Sequence, residues 1–127
     1  MSSRSAKVLV CALLVLLLAA SHAQASCTHR RAAARSLARA ALPRVTSAWG
    51  SGSCRVDTVN GQPDVEVESC SNKGHGIIRL RIEADYYCQR PHGRWHDVYY
   101  YITAEVDTRN HNRVTRWIRV ARGHDDK

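Results

Sequence analysis

The 127-residue chain is short and basic, with 19 Lys and Arg against 11 Asp and Glu, a net charge of +8 and no phenylalanine. A chain of this length forms one small domain with a modest core, which excludes large multidomain enzymes. The excess of positive charge favours contact with anionic partners such as nucleic acid, acidic glycans or a lipid headgroup surface.

Residues 1–25 have the pattern of a secretory signal peptide. Arg4 and Lys7 precede an apolar run over residues 8–20, and an A-x-A cleavage pattern follows. The run is too short to span a bilayer comfortably, and no later segment is long and apolar enough. We therefore expect residues 26–127 to form one secreted domain, extracellular or periplasmic, with 17 basic residues against 11 acidic ones and a net charge of +6.

Four cysteines follow the signal, and an even number in an exported chain predicts two disulfides. They are Cys27, Cys54, Cys70 and Cys88. Zinc sites usually need closely spaced pairs, which the gaps of 27, 16 and 18 residues do not supply, so we expect no metal. We favour a Cys70–Cys88 bridge between strands and a Cys27–Cys54 bridge across the helix. Because a straight helix would hold the latter two far apart, crossed pairings such as Cys27–Cys88 stay open.

The first mature segment, residues 28–49, is predicted to be a helix. Its apolar residues recur at three- and four-residue steps and so share one face: Ala34, Leu37, Ala38, Ala41, Val45 and Ala48. Pro43 lacks a backbone donor and is expected to kink or end the helix near Leu42. The "GSGS" run that begins at Gly50 should end it completely.

Residues 54–122 are predicted to form strands. Asn60-Gly61 is a hairpin signal between "CRVDTV" and "DVEVESC", and "IIRLRIEADYYC" alternates between apolar and polar residues. One face should carry Ile78, Leu80, Ile82, Ala84, Tyr86 and Cys88. We paired the next hairpin so that Tyr86 faces Tyr100, and the last one symmetrically about Asn110, which places opposite charges together. A slip of two residues would keep the apolar face.

These elements predict an α+β domain in which an N-terminal helix packs on one face of a four- to five-stranded antiparallel meander. A helix wrapped by a curved meander resembles the outline of cystatin and NTF2-like proteins. The inhibitory pattern Q-x-V-x-G of cystatins is absent, because the nearest string, Gln62-Pro63-Asp64-Val65-Glu66, has Asp where valine is needed.

The open face of the sheet is the first candidate binding site. Alternation makes Tyr100 a core residue and turns an aromatic and cationic set outward: Tyr87, Tyr99, Tyr101, Trp117 and Arg119. These residue types are enriched at binding hot spots and suit stacked bases or sugar rings. Ordinary cross-strand stabilisation explains the same pattern.

The helix supplies a second candidate site. Arg31, Arg35 and Arg39 follow i, i+4 spacing in a segment without acidic residues, which suits a polyanion or an anionic lipid surface, although a solvated helix face has the same pattern.

In our register Arg116 falls on the apolar side opposite Ala104. It would therefore either reach past the helix to water or lie in a pocket between helix and sheet.

The leading hypothesis is a cationic binding domain for an anionic polymer or surface, or for a secreted protein, with no cofactor. One alternative is an inhibitor that presents the loop 89–97 to a hydrolase. A second is a small ribonuclease, with Glu83 or Glu105, Arg81 or Arg119, and His111 or His124 as acid, cation and base. Whether the chain is an enzyme stays open, with binding favoured.

His92 and His96 are four residues apart, and a metal site there would need a third ligand from elsewhere.

Overall fold

The computed structural model describes residues 27–124, which fold as an α+β domain. The predicted signal, residues 1–25, lies outside the described residues. The helices are α1 (Arg30–Ala40) and α2 (Leu42–Trp49). The strands are β1 (Ser53–Val56), β2 (Thr58–Val59), β3 (Gln62–Pro63), β4 (Val65–Gly74), β5 (Ile77–Gln89), β6 (Trp95–Asp107) and β7 (Arg113–Arg122). The predicted α+β class, with an antiparallel sheet, is confirmed. No helix within residues 27–124 has the length and apolar character needed to cross a membrane.

The helical segment divides where Pro43 was expected to disturb it. α1 ends at Ala40, and α2 starts at Leu42 with the proline in its first turn, where a missing N–H costs little. Ala41 between them keeps a right-handed helical backbone, so the direction of the chain changes little there. Gly50 then adopts φ 102°, a conformation that glycine tolerates easily, and its N–H bonds to the carbonyl of Thr46.

β5 lies at the centre of the main sheet and pairs with three strands. β6 follows it on one side, with β7 beyond, while β1 and β4 lie end to end along its other side. Between β1 and β4 the chain projects as the short β2–β3 hairpin, with Asn60-Gly61 at the turn as predicted. The flanking segments were expected to pair with each other, but they leave the hairpin and pair with β5 instead.

The junction of β1, β4 and the hairpin is held by three backbone hydrogen bonds. Asp57 donates to the carbonyl of Asp85, Asp85 donates to that of Asp64, and Asp64 donates to that of Asp57, at 3.0, 3.0 and 2.9 Å. These bonds use the backbone groups at the point where β5 changes partner. They therefore fix the place at which the hairpin leaves the sheet.

The predicted pairing of β5 with β6 is wrong by two residues. Tyr86 pairs with Val98, and Ala84 pairs with Tyr100. A slip of two residues leaves every side chain on its expected face, so the polarity pattern does not distinguish the two registers. The charge pairs do change, because Glu105 lies opposite Arg79, with 3.9 Å between their charged groups, and Arg81 lies opposite Thr103.

The predicted pairing of β6 with β7 is correct at Val106 and Val114 and fails beyond them. Two irregularities each add one residue to β7, and the second leaves Ile118 as the extra residue. Trp117 consequently lies opposite Ala104, on the helix side of the sheet. Arg116 lies opposite Glu105 on the open face with its side chain 66% exposed, so the pocket suggested around Arg116 does not exist.

The core lies between the helices and one face of the sheet, as expected. All six apolar positions predicted for β5 are fully buried, together with the inward residues of β6 and the small face of α1. Tyr86 and Tyr100 meet edge to face with ring centroids 5.9 Å apart, and Tyr86 Oη donates to the carbonyl of Ala38 at 2.6 Å. Two buried aromatic rings compensate in volume for the alanine-rich helix face.

The two predicted disulfides form, but neither favoured pair is correct. Cys27 bonds to Cys70, which ties the start of α1 to β4, and Cys54 bonds to Cys88. The second bridge joins residues that are direct partners in the β1–β5 pairing, with Cα atoms 4.1 Å apart. The pairing follows from β1 lying along β5, a long-range contact that spacing alone does not reveal.

Candidate functional site

The charged residues of the described chain are segregated by region. α1, α2 and β7 contain nine arginines and no acidic residue. Nine of the 11 acidic residues of the chain lie between Asp57 and Asp107. The helix side and the β7 edge therefore form a cationic surface, which we define by its arginines: Arg30, Arg31, Arg35, Arg39, Arg44, Arg113, Arg116, Arg119 and Arg122.

The arginines of α1 border a groove of about 690 Å³ between the helix, the β2–β3 hairpin and β4. Arg31 is exposed and Arg35 is half-buried, while Ala34 and Val65 add apolar surface to the lining. The carboxylates of Asp64, Glu66 and Glu68 also line this groove. Arg39 donates from Nη2 to Oε1 of Gln62 at 3.3 Å, which links the helix to the hairpin. Two of the three predicted helix arginines thus line a concavity, and the third contacts the hairpin.

The edge strand β7 carries its arginines in two environments. Arg113 and Arg116 lie opposite Asp107 and Glu105, and Arg116 forms an ion pair with Glu105 at 3.5 Å. Arg119 lies opposite the neutral Thr103 and is exposed. The pairing leaves more uncompensated positive charge near the second half of the strand than near its start.

A second, smaller groove of about 360 Å³ lies between α2 and β7. The guanidinium carbon of Arg44 lies 4.5 Å from the ring centroid of Trp117, a distance that allows a cation–π contact. Ile118 is 42% exposed beside them. The groove, which Arg119 also lines, has no carboxylate in its lining, so it combines apolar surface with positive charge.

The open face of the sheet holds three of the predicted aromatic residues in a different order from the one expected. Tyr87 lies opposite Asp97, and the Tyr99 and Tyr101 rings meet at 5.6 Å on the same strand. The charges of Asp57 and Asp97 raise the pKa of Tyr87. The surroundings of these rings are thus partly acidic, and Trp117 lies on the helix side of the sheet rather than beside them.

Tyr99 also has a structural role that the sequence did not suggest. Its backbone carbonyl accepts from the N–H of Gly123 at 2.9 Å, and a Cβ at that glycine would overlap the tyrosine ring. The ring therefore covers the chain just after β7.

A second group of rings also lies on the open face, where Arg55 lies 4.6 Å from the Trp95 ring and 5.4 Å from the Tyr87 ring.

The connection between β5 and β6 is shorter than the predicted loop 89–97, because both strands extend into it. The residues between Gln89 and Trp95 form a tight turn, closed by a bond from the N–H of Gly93 to the carbonyl of Arg90. Arg90 lies 4.5 Å from the ring of the buried Trp49 and donates to its carbonyl at 3.4 Å. The turn thus anchors the end of α2.

The residues considered for catalysis are spread along the sheet. His111 lies in the β6–β7 turn, whereas Glu83 pairs with Tyr101, six residues before the end of β6 and so about 20 Å away along the strand. Glu105 is engaged by both Arg79 and Arg116. His96 turns toward Trp49, with ring centroids 6.0 Å apart, while His92 is exposed in the turn.

Carboxylates form two clusters in the described residues. Asp57, Asp64 and Asp85 have oxygen atoms within 4.8 Å of one another at the junction of β1 and β4, and a second group joins Glu66 and Glu68 to Glu83. Burial of the carboxyl raises the pKa of Asp57, and the charges of Asp97 and Asp64 raise it further. Clustered carboxylates alone do not define a metal site, and we assign none.

Sequence reasoning missed two residues that define the smaller groove. Arg44 lies within the segment that was predicted to be a helix, but its contact with Trp117 depends on how α2 crosses β7. Ile118 was placed opposite Ile102 in the core, and the irregularity in β7 exposes it instead. No sequence signal indicated that irregularity.

Comparison with known proteins gives no relative from which a function could be inferred. No protein family model, curated protein or solved structure matches the chain. The resemblance to the outline of cystatin and NTF2-like proteins therefore has no support beyond the order of helix and strands.

Proposed function

We propose that this protein binds an anionic polymer through the cationic surface of α1, α2 and β7. The supporting observation is the segregation of charge, with nine arginines and no acidic residue in these three elements. Like charges held together repel one another, and an anionic partner relieves that repulsion while releasing counterions. The proposal narrows the sequence hypothesis, which also included the aromatic open face.

The carboxylates distinguish the parts of the surface, because Asp64, Glu66 and Glu68 line the groove beside α1, whereas the lining of the groove between α2 and β7 has none. The charges of Asp57, Asp97 and Asp85 raise the pKa of Tyr87, so this part of the open face has anionic neighbours. A polyanion would be repelled from that region. The two disulfides are compatible with an extracellular location, where acidic polysaccharides and released nucleic acid are available partners.

Two probes test the proposal, a heparin fragment and a short single-stranded DNA. Both are anionic polymers, but one is a sulfated polysaccharide and the other is a nucleic acid. On single-stranded DNA, three neutralised contacts predict that raising salt fourfold weakens binding by about 20-fold. The triple variant Arg31→Gln, Arg35→Gln, Arg39→Gln should reduce both the affinity and the salt dependence for both probes. Isothermal titration at two salt concentrations measures the effect.

A matched control removes equal charge from other exposed positions: Arg55→Gln, Arg81→Gln, Arg94→Gln. This variant should keep most of the affinity, because its arginines lie outside the cationic surface. Equal loss in the two triple variants would show that net charge alone matters. Affinity that does not change with salt would contradict the proposal altogether.

A further inference from the structure

The β7 edge offers more than positive charge. β7 ends the strand order of the sheet, and among the described strands it pairs with β6 alone. An edge strand presents backbone N–H and C=O groups on its outer side that another extended chain can use. From Arg119 to Arg122 its pairing with β6 is regular, so the outward backbone groups keep the alternation of an ordinary antiparallel strand.

We propose that the anionic partner is an acidic polypeptide segment that adds to β7 as a further strand and places one apolar side chain in the groove beside α2. The inference rests on the proposed function, and it names the class of polymer. Arg44 and Arg119 would receive the carboxylates of the segment. Ile118 and Trp117 would receive its apolar side chain, in a groove of about 360 Å³ that is large enough for it.

The exposed isoleucine argues for a polypeptide rather than a polysaccharide or nucleic acid. Ile118 is 42% exposed in this groove, where apolar surface, positive charge and a strand edge meet. Sulfated sugars and phosphates gain from arginine but gain little from an aliphatic side chain. They also lack the alternating donors and acceptors with which a peptide pairs with a strand edge.

Charge also decides between an acidic segment and a second copy of this chain. Two β7 strands pairing with each other would bring their arginines together, and like charges opposite one another are destabilising. An acidic strand meets attraction where a second copy meets repulsion, so the same residues select the partner.

The test uses three labelled peptides of eight residues in fluorescence anisotropy with the intact protein. The first alternates Asp and Glu around one central leucine, the second replaces the leucine by serine, and the third keeps the leucine but N-methylates alternate backbone amides. We expect the first peptide to bind about tenfold more tightly than the second, since burial of one leucine accounts for that difference. The third should bind as weakly as the second or worse.

Protein variants provide the matched comparison. Ile118→Ser should weaken the leucine peptide about fivefold and leave heparin binding unchanged. Val59→Ser changes another exposed aliphatic residue, 55% exposed in the β2–β3 hairpin and far from the groove beside α2 in the strand order, and should leave the affinity for the leucine peptide unchanged. Both positions are on the surface, so neither variant should disturb folding, which circular dichroism verifies.

The possible failures can be distinguished. If all three peptides and heparin bind with equal salt dependence, the cationic surface is real and the strand-addition inference is wrong. If neither the peptides nor heparin bind, the proposed function fails as well. If the protein dimerises in solution and Ile118→Ser abolishes the dimer, a second copy occupies the groove and the inference is overturned.

Discussion

The two edges of the sheet differ in how firmly they are attached. On one edge, β1 and β4 are each fixed by a disulfide, to β5 and to α1, and the adjoining residues are acidic. On the other edge, β7 has no cysteine, carries four arginines and contains two irregularities. The difference suggests a division of roles in which the first edge stabilises the domain and the second remains available to a partner.

Removing the disulfide between β1 and β5 should have the largest effect on stability. The Cys54→Ala, Cys88→Ala variant should lose about 4 kcal/mol of unfolding free energy, because the bridge closes a segment with a sequence separation of 34 residues. Urea denaturation measures the loss. A variant of the other edge, Arg119→Gln, should change stability by less than about 0.5 kcal/mol. A loss below about 1 kcal/mol from the cysteine variant would mean that the disulfide edge does not depend on its covalent bond.

The two buried tyrosines sharpen the comparison at the level of single atoms. Tyr86, on the strand beside the disulfide edge, donates to Ala38, whereas the buried hydroxyl of Tyr100 has no hydrogen-bond partner within residues 27–124. Tyr86→Phe should therefore cost about 1 kcal/mol or more, and Tyr100→Phe should stay within about 0.5 kcal/mol of the parent. Equal costs in thermal unfolding would show that the two hydroxyls are held equally well.

The faces of β5 and β6 were predictable from the sequence, whereas the faces of β7 and the partners of the strands were not. Alternation placed Ile78 and Tyr100 in the core, because successive side chains of a strand point to opposite faces of the sheet. Two registers of β5 with β6, which differ by two residues, give the same pattern of polar and apolar faces. The choice between them depends on side-chain packing, which the polarity pattern does not indicate. The irregularity that exposes Ile118 and the pairing of β1 with β5 arise from contacts between residues far apart in the chain.

The candidate site divides in the same way. The stripe with Arg31 and Arg35 follows from helical spacing, so the sequence was sufficient to find it. The groove between α2 and β7 needs Arg44 and Trp117 to meet, and they lie 73 positions apart in the sequence. The predicted open-face patch mixed residues of two surfaces, because one extra residue in β7 moves Trp117 to the helix side.

The smallest expected effect concerns the acidic junction of the disulfide edge. Because the folded protein raises the pKa of Asp57, the folded state binds the proton more tightly than the unfolded chain. Stability should therefore fall as the pH rises from the ordinary Asp pKa of about 3.9 through the raised value, and the cost should persist at neutral pH. Asp57→Asn removes this cost, so the melting temperature of the variant relative to the parent should be higher at pH 7 than at pH 3. Among the neighbouring charges, Asp97 contributes most to the raised pKa of Asp57. In the Asp97→Asn background, the stabilisation gained from Asp57→Asn at pH 7 should therefore be smaller. If the relative melting temperature is the same at both pH values, neither the burial of Asp57 nor repulsion from its neighbouring carboxylates destabilises this edge.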